Sequence, residues 1–238
     1  MKRKYYIFAA LLTACAWQAG GENILFPYRR ASYTTYFQEG VEREKNIRLA
    51  VEKLDSVIIH PGSEFSFNEA VTWQIPRDEL GYAPAIIDGE LLTASGGGLC
   101  QVSSTLYASA LAAGMSVTER KNHSSPVGYI SPGLDATVST TEGIDLKLRN
   151  DEKYPFLIKA SAGRGTLNIV FFSAGPPDSA TSISVTLPEK EGRYIYVTTM
   201  RKTSVKNGTA ATEIISVDRY IHWHEAPVPE DNKKSMKY

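Results

Sequence analysis

Cys100, His123 and Asp135 are the residues of this chain whose types and order suit nucleophilic chemistry. A cysteine attacks acyl carbons as its thiolate, an imidazole nearby keeps it so, and a third group fixes the imidazole's tautomer. The reading is Cys100 as nucleophile, His123 as its base and Asp135 as the group that orients the ring. Gly97, Gly98, Gln101, Ser103, Ser124 and Tyr129 are the candidates for holding substrate, with Gly98, Leu99 and Gln101 placed to meet an oxyanion. The competing arrangement is structural. Cysteines often serve as small buried hydrophobes, and here His123 would cap a loop while Asp135 makes a turn.

A second chemistry is glycan cleavage. Glu69, in Phe67-Asn68-Glu69, would be a carboxylic acid with a raised pKa, with Asp135 as its partner or as the sole acid of a lytic transglycosylase. Cys100 would then be structural. A third reading has no catalysis at all, only a peptidoglycan-binding module with Trp73, Tyr82 and Tyr129 as stacking faces. His222, His224 and Glu225 carry metal-binding groups, but a short cluster with no fourth ligand predicts no metal site. No cofactor is expected either, because no Gly-Lys-Ser/Thr follows the glycines Gly96, Gly97 and Gly98.

These residues need elements to carry them. The three glycines feed a helical pattern of Val102, Leu106, Ala110 and Ala113, which Gly114 ends. Cys100 therefore falls near a helix N-terminus, where negative charge is favoured. The order is a helix-borne cysteine, then histidine after a following strand (Ser116–Arg120), then aspartate past a further turn. That order is similar to that of papain-like and transglutaminase-like enzymes. Before the glycines come a β-prone run at Ser32–Phe37, an amphipathic helix over Arg43–Leu54, a short strand at Val57–Ile59 and a hairpin turning at Asp88-Gly89. From Ile144 the periodicity is strand after strand, with a hairpin at Lys206-Asn207-Gly208 and the best internal break at Gly175-Pro176-Pro177. The fold expected is α+β: one mixed domain, its glycine loop and Cys100 helix packed on an antiparallel sheet, plus a β-rich C-terminal extension. The boundaries expected are 1–14 for a leader, 15–160 for the mixed domain, 161–225 for the extension and 226–238 for a tail.

The leader reads as an export signal, with Lys2, Arg3 and Lys4 ahead of the apolar run Tyr5–Leu12. It ends in Leu12-Thr13-Ala14-Cys15, which resembles a bacterial lipobox, so Cys15 is the expected lipidation site. The protein would then be extracytoplasmic and held to the membrane by acyl chains. Cys100 is left without a partner for a disulfide, which in an exported chain marks a reactive thiol or an intermolecular link. The chain carries 26 Lys+Arg against 26 Asp+Glu, and losing the basic leader tips it acidic. That argues against a nucleic-acid binder, which needs a basic patch.

Several longer stretches resemble the VanW family: Tyr33-Thr34-Thr35 with Asn46-Ile47, Pro61–Asn68, Gly81–Ala85, Gly96–Tyr107, Asn122-His123-Ser124 with Pro126-Val127, and Gly133 with Asp135–Val138. The similarity runs from about Ser32 to Ile158. The family takes its name from glycopeptide-resistance clusters and occurs in exported bacterial proteins, so the resemblance implies work in the cell envelope; the expected target there, acted on or bound, is peptidoglycan or its precursors. One loop departs from the pattern: Ile75-Pro76-Arg77-Asp78 stands where the family usually has Gly-Pro-Arg-Thr.

Overall fold

A computed structural model describes residues 5–8, 25–39, 41–87, 90–205, 208 and 210–221. Its first part comprises β1 (Tyr5–Phe8), β2 (Tyr28–Tyr36), α1 (Val41–Leu54), β3 (Ile58–Ile59), β4 (Glu64–Ser66) and the one-turn helix α2 (Phe67–Ala70). The hairpin β5 (Tyr82–Ile87) and β6 (Glu90–Ser95) then leads to α3 (Leu99–Ala113). After it come β7 (Ser116–Glu119), β8 (Lys147–Arg149), β9 (Phe156–Gly163) and β10 (Thr166–Ser173). The chain closes with β11 (Ser179–Thr186), β12 (Glu189–Glu191), β13 (Tyr194–Val205) and β14 (Ala211–Ile221).

The architecture is α+β, and every strand pairing is antiparallel. α3 lies against β2 and β10 of a four-stranded sheet ordered β2-β10-β9-β3, while α1 covers β9 and touches α3. Ala- and Leu-rich α3 favours helix, and its lack of charge lets it sink into the core. All of its residues are buried except Cys100 and Ala112. The helix that brings the thiol is thus a core helix, and Cys100 is where its first turn meets the surface.

The boundary expected at 160 falls inside β9. β9 and β10 pair with each other and with β3 and β2, and Leu167, Ile169 and Phe171 are fully buried in the central core. The mixed unit therefore runs to Ser173, and the break comes at Gly175-Pro176-Pro177, where proline removes backbone donors. Beyond it, β11, β13 and β14 form a second sheet, with β12 and β1 at its margins. Ile183, Val185 and Ile215 of this sheet pack on the central core. Asp88, Gly89, Lys206 and Asn207, the two expected turns, lie outside the described residues, although the strands flanking each turn are paired.

Candidate functional site

Gly98 caps α3 with a left-handed backbone (φ 115°) that only glycine adopts freely, and Cys100 follows in the first turn. Gly97 is needed for space: a Cβ there would stand 2.5 Å from the carbonyl oxygen of Ala83, in the neighbouring hairpin. The Cys100 sulfur is half-buried and donates weakly to the carbonyl of Val138 at 3.5 Å. Ser103 and Ser104 donate to the carbonyl of Ala136, in the same returning segment. Those bonds hold Asp135 and its neighbours against the start of the helix.

His123 is buried, and its Nδ1 lies 2.7 Å from Oδ2 of Asp135, which also accepts the His123 backbone N–H at 2.7 Å. The other carboxylate oxygen accepts the Tyr220 hydroxyl at 2.5 Å and Arg120 Nη2 at 3.3 Å. Burial favours the neutral acid, but the bond from His123 and the charge of Arg120 reverse this and hold Asp135 below the usual carboxylate range. Burial likewise opposes charge on His123. The hydrogen bond to Asp135 and then the neighbouring Cys100 outweigh it and raise the ring to about 9. Cys100, His123 and Asp135 are therefore brought together, with His123 carrying its proton at neutral pH.

Sequence reasoning missed the groups that hold this arrangement from behind. Arg120 ties Asp135, through both its carbonyl and its side chain, to Asp218, which it meets at 2.5 Å. Its guanidinium also stacks on the Tyr107 ring, 4.9 Å from the centroid. Tyr220 bridges the Gly133 N–H and Asp135. The only sequence signal for Asp218 and Tyr220 is their spacing, which puts them on one face of a strand. Nothing local says which loop that face meets.

The binding residues expected around the cysteine fare differently. Gln101 is buried with its amide committed: it donates to Thr35 Oγ1 and to the Tyr36 carbonyl, and it accepts from Arg43. Ser103 is fully buried and bonded to carbonyls. Neither side chain is available to substrate. Ser124 is exposed, and its carbonyl receives the Ile221 N–H from β14. Tyr129 does lie at the site, edge-on to His123 with the ring centroids 6.4 Å apart. Burial and then the neighbouring Cys100 push its phenol upward. The expected oxyanion donors change as well. The Leu99 and Gln101 N–H groups already donate to Gly96 and Gly98, whereas those of Gly98 and Cys100 have no acceptor among the described residues.

Glu69 is exposed on α2, where its N–H donates to the capping Ser66 hydroxyl and its carboxylate has no hydrogen-bond partner among the described residues. Trp73 and Tyr82 are also exposed. A cavity of about 430 Å³ lies elsewhere, between Ala108 and Ala112 of α3, Ser32–Thr34 and Ile183–Pro188, and it does not include Cys100. Cys15, His222, His224 and Glu225 lie outside the described residues. Among those residues there is no cluster of metal ligands, and no helix is long and apolar enough to cross a membrane.

Fold and site together define an α+β protein in which a helix-borne cysteine stands beside a buried, hydrogen-bonded His–Asp pair. The family model described as VanW like protein matches residues 42–172, more than half of the chain, and the chain belongs to that family. It is 38% identical over 143 residues to the uncharacterized protein YoaR of Bacillus subtilis (strain 168), covering 60% of this chain and 47% of that one. It is 36% identical over 117 residues to the Vancomycin B-type resistance protein VanW of Enterococcus faecalis (strain ATCC 700802 / V583), covering 44% and 40% respectively. The chain thus spans less than half the length of either relative. No solved structure matches it. Cys100, His123, Asp135 and Arg120 fall inside the matched segment, while Asp218 and Tyr220 fall outside it.

Proposed function

We propose that this protein works in the cell envelope as a thiol-dependent peptidase or acyltransferase on peptidoglycan or its precursors. The observation that carries the reading is the buried Asp135–His123 pair set against Cys100. With Nδ1 held by Asp135, Nε2 is the ring nitrogen free to exchange a proton. The Cys100 thiolate attacks an amide carbonyl, forming a C–S bond, and the oxygen takes the negative charge beside the Gly98 and Cys100 N–H groups. The C–N bond then breaks, and the departing amine takes its proton from His123. Water or a second amine attacks the thioester, gives a proton back to His123 and releases the sulfur as thiolate.

The envelope setting is supported by family membership, the resistance protein among the relatives and the signal-like leader. Extracytoplasmic location, a membrane anchor at an acylated Cys15 and the absence of a nucleic-acid partner belong to the same proposal. Mass spectrometry of the mature N-terminus tests the anchor, and a mature chain that begins elsewhere would remove it. For the chemistry, purified peptidoglycan is incubated with the protein and its fragments are weighed. Loss of new products with Cys100→Ala, and their persistence with Glu69→Gln, is the expected pattern. The reverse pattern would transfer the assignment to glycan cleavage.

A further inference from the structure

Arg43 stands at the same site without a counter-ion. It is half-buried on α1, and among the described residues no carboxylate lies within ion-pairing distance of its guanidinium. Two neutral groups fix it instead: Nη2 donates to Gln101 Oε1 at 2.8 Å, and Nη1 donates to the Pro84 carbonyl at 3.0 Å. Gln101 is itself pinned by Thr35 and Tyr36, so the fork has one orientation. The guanidinium also lies over the Tyr129 ring, 5.9 Å from its centroid, and Gly98 packs directly on the Arg43 backbone and side chain. These contacts place it at the mouth of the thiol site. Burial depresses the guanidinium, and the neighbouring Tyr129 and then Cys100 oppose this.

A partly desolvated cation held only by neutral groups is an arrangement that an arriving anion would complete. Five N–H groups in a fixed fork suit a carboxylate, and the bonds to Gln101 and Pro84 use only two of them. Resting on the thiol reading above, we infer that Arg43 is the receptor for a carboxylate on the acyl substrate, so that the site selects peptides bearing a free carboxylate close to the bond attacked. A neutral peptide of the same shape would leave the guanidinium uncompensated.

The test compares two alkylating reagents that differ in charge, iodoacetate and iodoacetamide, on the full chain. Relative to a free thiol in solution, Cys100 should favour iodoacetate, and Arg43→Met should remove that preference by about tenfold to a hundredfold, the span of a hydrogen bond to a charged group. Arg43→Lys, which keeps the charge but not the fork, should retain part of it. Equal slowing of both reagents by Arg43→Met would make Arg43 a counter-ion of the thiolate only and overturn the proposal, as would a wild-type protein with no preference. In both outcomes the thiol reading stands. If Cys100 resists both reagents, the thiol reading falls, and Arg43 is judged on Cys100→Ala protein by NMR titration of the Tyr129 ring. Saturable shifts with N-acetylglycine but not with its amide support the receptor; equal shifts, or none, overturn it.

Discussion

A carboxylate that accepts four hydrogen bonds in a dry site stays ionised and holds its neighbours in place, and Asp135 does both. Asp135→Asn would remove the charge that keeps the proton on His123, leaving burial free to lower the ring. Titration of His123 by NMR should then show a midpoint well below about 9, and Cys100 alkylation near pH 7 should slow about tenfold or more. The same shift sets the pH dependence of stability. A ring raised from 6.5 to about 9 stabilises the fold fully below pH 6.5, and that contribution fades as pH rises through about 9. The lowered Asp135 acts in the opposite sense, stabilising above its unfolded value and fading in acid. Denaturant unfolding should therefore show a fall of up to about 3 kcal/mol between pH 6.5 and 9, absent in His123→Ala. At this scale type and order nominated Cys100, His123 and Asp135, and the fold does bring these three side chains together. Gln101 and Ser103 were misread because their partners, Thr35 and Ala136, come from distant segments that no local spacing announces.

At the scale of elements, the loop carrying Asp135 matters as much as the helix carrying Cys100. Gly133 has φ 91°, and a Cβ there would lie 2.5 Å from the Thr199 hydroxyl of β13 and 3.1 Å from Val185 of β11. Its carbonyl accepts from Thr199 and its N–H donates to Tyr220. Gly133→Ala should destabilise the protein by about 1–3 kcal/mol in thermal or denaturant unfolding, through backbone strain and a forced shift of the second sheet. The two long helices and most strands could be read from periodicity, Gly114 included, whereas the single turn of α2 carried no such pattern. The end of the mixed unit could not: strand periodicity begins near Ile144, but only pairing with β2 shows that β9 and β10 belong to the first sheet.

For the molecule as a whole, the second sheet completes the site. β14 lies outside the family-matched segment, yet it supplies Tyr220 and Asp218, and its backbone bonds Asn122 and Ser124 on either side of His123. Tyr220→Phe keeps the ring and removes one bond to a buried charge, costing about 1–3 kcal/mol. As a positioning residue it should also shift the pH profile of Cys100 alkylation, which a purely structural loss would leave in place.

The chain order of those parts also sets a schedule. Chains are made from the N-terminus at about 5–20 residues per second, so Cys100 is synthesised on the order of ten seconds before Tyr220. α3 needs β2 and β10 for its packing, and all three precede β11, β13 and β14 of the second sheet. The thiol can therefore be seated in a folded core while Asp135 still lacks the tyrosine and the Asp218–Arg120 tie that fix it. Until the closing strand pairs, the helix and its cysteine are in place while the His123–Asp135 pair beside them lacks two of the contacts that fix it.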